Sequence, residues 1–138
     1  INTKMANDTL KISRLYKDLD LAFTANPLTG DVSKKLDVNA VKQAIKILIL
    51  TNFYERPFAP QKGANLRGLL FEPMSSNFAS IIHRTISDLI TSYEPRARIE
   101  TIVVSPNFDT NSYEVTLTFF IVGIARPQTL TANLKRLR

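Results

Sequence analysis

The chain has 138 residues, 44% of them hydrophobic and 22% charged, and no cysteine. This length and balance fit one globular domain with its own core and argue against disorder, while the lack of thiols excludes disulfides, zinc–thiolate sites and cysteine nucleophiles. The formal charge of +6 arises from 18 basic and 12 acidic residues, and the excess gathers at the end of the chain, where Arg126, Lys135, Arg136 and Arg138 are accompanied by no acid.

That basic stretch lacks interleaved aromatics, so a solvated end or an acidic protein partner fits it better than nucleic acid. No apolar run nears the roughly 20 residues of a membrane span and the start at Ile1 has no secretory character, so a soluble, unexported protein is expected. Asn7-Asp8-Thr9 then reads as a chance sequon.

Residues 1–36 mix short apolar patches with turn signals at Asn26-Pro27 and Thr29-Gly30-Asp31, which predicts an arm lying on the domain formed by residues 37–138. Val38, Val41, Ala44, Ile45, Leu48 and Ile49 recur at helical spacing, with Asp37 or Asn39 placed to cap a first helix ending at Leu50. Residues 52–73 hold three of the seven prolines and two of the four glycines, which predicts a long ordered loop. A second helix is expected from the Ser75-Ser76 cap to Tyr93, burying Phe78, Ile82, Ile86, Leu89 and Tyr93, with Ile81 and Ile90 widening the stripe. Pro95 forces its exit.

Ile99–Val104 and Tyr113–Ile124 are rich in β-branched and aromatic residues and predict an antiparallel pair. Tyr113, Val115, Leu117, Phe119 and Ile121 share one face of the longer strand. On the other face Glu114, Thr116 and Thr118 give way to Phe120, Val122 and Ile124, which predicts an edge left open for another polypeptide. The final "TLTANLKRLR" fits either a strand or a helical turn. The order of elements implies an α+β domain with two helices packed on a small antiparallel sheet.

Catalytic chemistry finds few candidates. His83 is the only histidine and reads as a helix-surface residue. Asp18 and Asp20 lack the further oxygens that a hard cation needs, so neither a metal nor another cofactor is expected. Gly63 and Gly68 do not form a phosphate cradle and are expected to serve turns or close packing. Glu55, Glu72 and Glu94 could supply the acid pair of a glycan hydrolase. Each stands beside a proline or an arginine, however, and arginine lowers a carboxyl pKa where a general acid needs it raised. The residues favour a non-enzyme, with a lysozyme-like hydrolase as the alternative.

Three motifs occur in order: Glu55-Arg56-Pro57, Leu69-Leu70-Phe71-Glu72 and Glu94-Pro95-Arg96. Together with "SRLYKDLDLAF" and "GDVSKKLD" they give the chain a resemblance, over nearly its whole length, to the baseplate wedge proteins of contractile-tailed phages that act as sheath initiators, and to their relatives in type VI secretion baseplates. Many relatives carry Phe-Gly where this chain has Lys62-Gly63. The resemblance implies a fold imitating the interlocking, or handshake, domain of the sheath subunit. It implies a place in the virion, in a wedge repeated sixfold around the end of the tail tube, after assembly in the host cytoplasm. It assigns binding of the helical core bundle of the wedge scaffold to Glu94, Pro95 and Arg96, with Glu55, Arg56, Pro57 and Glu72 as the supporting loop. Thr118, Phe120, Val122 and Ile124 would face the tail sheath protein. Within the chain itself, Arg96 could instead pair internally, with Glu55 or Glu72.

Overall fold

The computed structural model describes residues 16–135; the Asn7 sequon, the start of the arm, Arg136 and Arg138 lie outside them. The described part of the arm contains two short strands, β1 (Lys17–Leu19) and β2 (Lys34–Leu36), paired antiparallel. The helix α1 (Asp37–Leu50) follows β2 without a break. A single helical turn, α2 (Leu66–Leu69), lies within the expected loop, and α3 (Ser76–Tyr93) leads to three strands: β3 (Ala97–Asn107), β4 (Ser112–Ile121) and β5 (Ile124–Lys135).

The helices form where apolar spacing called for them, but their ends differ. Ser75 Oγ accepts from the Phe78 amide at 3.4 Å, as an N-cap should. No side chain caps α1. Asp37, expected there, exchanges bonds with the arm: its amide donates to Tyr16 O at 2.8 Å and its Oδ1 accepts from Tyr16 N at 3.3 Å. The chain enters α1 directly from a paired strand, so this carboxylate secures the strand and not the helix.

Ala40, Val41, Ile45, Leu48 and Ile49 of α1 and Ile82, Ile86, Leu89 and Ile90 of α3 are buried. They face Tyr113, Val115, Leu117, Phe119 and Ile121, the alternating set expected of β4. Each fully buried aliphatic or aromatic side chain contributes about 1.5–3 kcal/mol relative to exposure, so this two-layer core is what holds the helices on the sheet. Tyr93 and Ile81, counted toward the buried stripe, are 39% and 45% exposed. The stripe of α3 turns toward Ile90 at its end and leaves Tyr93 outside.

The sheet order is β3-β4-β5, all antiparallel, which overturns the reading of Tyr113–Ile124 as one strand with an open edge. The apolar run conceals a two-residue loop, Val122-Gly123, with Gly123 at φ 88° and Ile121 paired to Ile124 across it. Thr118 pairs with both Thr101 and Thr129, so it stands in the middle of the sheet. Phe120 pairs with Arg98 on the same central strand, Val122 is a 56% exposed loop residue, and Ile124 begins β5. The ambiguous C-terminal stretch is therefore strand as far as Lys135, where the described residues end. In this three-stranded sheet the unpaired edges belong to β3 and β5.

Candidate functional site

The corner between α3 and β3 is built by one proline and one ion pair. Pro95 lacks an amide hydrogen and keeps Glu94 out of the helical region, at φ −127° and ψ 74°. The Glu94 amide still closes the helix on Ile90 O at 2.9 Å, and Ala97 N donates to Glu94 O at 3.1 Å as the strand begins. This short reversal puts the side chains of Glu94 and Arg96 on the same side. Arg96 Nε donates to Glu94 Oε1 at 2.6 Å and Nη2 to Oε2 at 2.8 Å, a bidentate fork. Glu94 is only 4% exposed.

Arg96 thus pairs internally, but with Glu94 and not with Glu55 or Glu72. Its Nη1 lies 3.6 Å from Asp18 Oδ2, and its guanidinium stands 5.5 Å from the centre of the Tyr16 ring. The hydrogen bonds to Glu94 hold the Arg96 pKa above its ordinary value, outweighing the opposing effect of burial, and the charge of Asp18 adds to them. The arm is fastened to this corner by further contacts. Tyr16 Oη donates to Val122 O at 3.0 Å, while Val122 N donates to Arg96 O at 3.0 Å. Gln43 of α1 donates to Leu19 O at 2.7 Å and accepts from Leu21 N at 3.4 Å.

Between the arm, α1 and the corner opens a groove of about 580 Å³. Leu19, Leu21, Ala44, Ile47 and Leu48 give it apolar walls, and Tyr93, Pro95, Arg56 and Lys62 stand around it. The Lys62 ammonium is 5.6 Å from the centre of the Tyr93 ring. Gly63 sets the position of that loop: a Cβ there would meet Thr51 O at 2.5 Å, so the chain passes α1 more closely than any side chain permits.

The structure therefore brings Glu94, Pro95, Arg96 and Arg56 to one groove. It does not bring Glu55, Pro57 or Glu72 into its lining. Glu55 accepts from Asn52 N at 3.0 Å and from Asn52 Nδ2 at 2.7 Å, and these bonds hold its pKa below the usual carboxylate range. Pro57 and Glu72 are exposed. Asp18, Tyr16, Gln43, Lys62 and Tyr93 were not singled out for the site by the sequence. Tyr16 and Asp18 had only an indirect signal, in the resemblance of the arm as a block, and Gln43, Lys62 and Tyr93 had no local signal for this site.

A glycosidase needs two carboxyls facing each other across a cleft with one pKa raised. Of the three candidate acids only Glu94 lines the groove, with both oxygens engaged by Arg96. Asp18, the other carboxylate there, attends the same guanidinium. Among the described residues no cluster of His, Asp and Glu is arranged to hold a metal ion, and no helix is long and apolar enough to cross a membrane. His83 is exposed on α3.

Residues 36–128 match the family model described as baseplate wedge protein gp25. The chain is 31% identical over 111 residues to the baseplate wedge protein gp25 of Enterobacteria phage T4, covering 80% of this chain and 83% of that one. A chain of the anti-feeding prophage baseplate superposes with a TM-score of 0.62 at 22% identity, over 86% of this chain and 84% of its own. A chain of the pyocin R2 baseplate after contraction gives 0.51 at 17% identity, over 82% and 97%. A protein of Geobacter sulfurreducens provisionally described as a tail lysozyme gives 0.65 at 15% identity, over 71% and 89%. At such identities these three likenesses speak for the shared fold.

Proposed function

This chain belongs to the gp25 family of baseplate wedge proteins, and we propose that within the wedge it docks on a helical scaffold through the groove at the α3–β3 corner and starts the tail sheath by accepting a strand. As a structural component of a contractile-tail baseplate it works in contact with other baseplate proteins; the finer reading concerns which surfaces it uses, in a wedge repeated sixfold around the tube. The observation that carries it is the groove itself. An apolar trough lies beside an exposed Pro95 whose flanking residues are locked by a bidentate ion pair, so the surface is formed before any partner arrives. Preformed surfaces of this kind lose little conformational freedom on binding.

The sheath contact moves from β4 to an outer strand. The β3 edge is interrupted by a register shift between Ile99 and Thr101 and carries Pro106 and Glu100. On β5 the run from Gln128 to Lys135 has neither proline nor acid and continues the register without a break, leaving it the better template for strand addition.

The test is co-purification with the helical scaffold chains of its own wedge, followed by sheath polymerisation on the assembled baseplates. Ala44→Trp fills the groove and should release the scaffold while the protein melts normally. Unchanged scaffold retention by that folded variant would overturn the groove as the docking surface.

A further inference from the structure

Charge in the groove is unevenly matched. Its lining contains three cations, Arg56, Lys62 and Arg96, and two anions, Asp18 and Glu94. Both anions attend Arg96. Arg56 makes no side-chain hydrogen bond or ion pair among the described residues, and Lys62 meets only the face of Tyr93. Pro57 disfavours the helical conformation at Arg56, and a turn closed by Ala59 N on Arg56 O at 3.2 Å holds that position.

Resting on the groove reading above, we infer that Arg56 and Lys62, and not Arg96, present positive charge to the scaffold, and that the occupant is the acidic side of an amphipathic helix. Glu94 and Arg96 are then positioning residues: they fix Pro95 and the arm, and their charges are spent on each other. The α1 wall consists of side chains at helical spacing, Gln43, Ala44, Ile47 and Leu48, projecting from a hydrogen-bonded helix. Recognition there has to run through side chains, as in helix-in-groove docking. Small Ala44 lets a partner's apolar residue approach, and acids one turn away on that partner would reach the two unmatched cations. The source of specificity would thus be a charge from the loop of residues 52–65 and not from the α3–β3 corner.

The experiment compares variants co-expressed with the scaffold chains, by affinity at stepped salt concentrations. Arg56→Glu should bind about thirtyfold more weakly than the native protein and melt at an unchanged temperature; Arg56→Lys should retain part of the affinity. A scaffold Asp or Glu changed to Lys should restore binding to Arg56→Glu alone, a rescue that a merely structural role could not produce. Arg56→Gln with Lys62→Gln serves as the milder pair if the charge reversal perturbs folding. Native binding by Arg56→Glu and by that pair, with Ala44→Trp inactive, would overturn the inference and leave the groove reading standing. Retention by Ala44→Trp would overturn both.

Discussion

Arg96→Ala should cost far more stability than an ordinary surface substitution, because it orphans a carboxylate the fold has taken out of water. Glu94 is 4% exposed and receives two charged hydrogen bonds, at 2.6 and 2.8 Å, from one guanidinium. Removing one partner of a buried pair costs about 3–5 kcal/mol. The Arg96 side chain keeps 27% of its surface in water, so some solvent can reach the vacated space and roughly 2–4 kcal/mol is the better expectation. In a domain of this size that corresponds to a fall of roughly 6–12 °C in Tm. Glu94→Gln should cost less, about 1–3 kcal/mol, since the amide oxygen keeps one of the two guanidinium bonds, its NH2 cannot accept the other, and Asp18 remains nearby. The decisive comparison is the double variant Glu94→Leu with Arg96→Met, which buries two apolar groups where an ion pair stood and should be more stable than Arg96→Ala alone. Thermal and urea unfolding of the four proteins measure all three values. If Arg96→Ala melts with the native protein, or the double variant is the least stable of the set, then the pair does not hold the corner.

Thr118→Pro should abolish cooperative folding, because Thr118 is paired on both sides; by contrast, prolines placed singly from Thr129 to Thr131 should alternate between folded and unfolded, and the folded ones should stop sheath growth on assembled baseplates. Circular dichroism melts sort the variants before the assembly assay. Gly63→Ala should lower Tm by several degrees, as its Cβ would fall 2.5 Å from backbone Thr51 O, whereas Gly68→Ala, with nothing within 4 Å, should raise stability slightly. Asp20 has its pKa lowered first by the Ala22 amide and then, against burial, by Thr24 and Lys35; a lowered carboxyl stabilises above its unfolded pKa and loses that contribution as pH falls through the folded value. The protection factors of amides in residues 20–36, taken against the intrinsic exchange rate at each pH, should therefore hold at neutral pH and fall selectively in acid, below the usual carboxylate range, while those of β4 hold.

Elements with a strong apolar period were legible, and those built on weak periods or on turns were not. β4 announces itself because every second residue from Tyr113 to Ile121 is apolar, and α3 because Ile82, Ile86 and Leu89 share a face. β5 does alternate, with inward Leu130, Ala132 and Leu134 around Thr131 and Asn133, but the run is short, its middle apolar residue is a small alanine, and Leu130 and Leu134 also stand at helical i, i+4 spacing, so strand and helical turn fitted equally. Its start was hidden as well, since Phe119 to Ile124 reads as continuous strand until Gly123 adopts a positive φ. One missed loop moved the open edge a whole strand. At the site, the motif residues were visible, yet their use was not. Residues two apart do not face each other on a helix, and only the non-helical backbone that Glu94 adopts ahead of Pro95 brings Glu94 and Arg96 to the same side. Asp18 and Tyr16 reach them across some eighty residues, a separation no local pattern encodes.

The clasp at Val122 has a mechanical consequence. Its amide is bonded to Arg96 O and its carbonyl to the Tyr16 hydroxyl, so the loop joining β4 to β5 is riveted to the end of α3 and to the arm. Ladder hydrogen bonds lie perpendicular to the strands. A pull along β5 therefore loads the row of bonds to β4 in shear, many at once, and does not peel them open singly. The force leaving the loop passes straight into the α3–β3 corner, where no glycine hinge intervenes between Tyr93 and Ala97. In a contractile-tail baseplate, this makes the small domain a stiff link between its sheet and its helical corner.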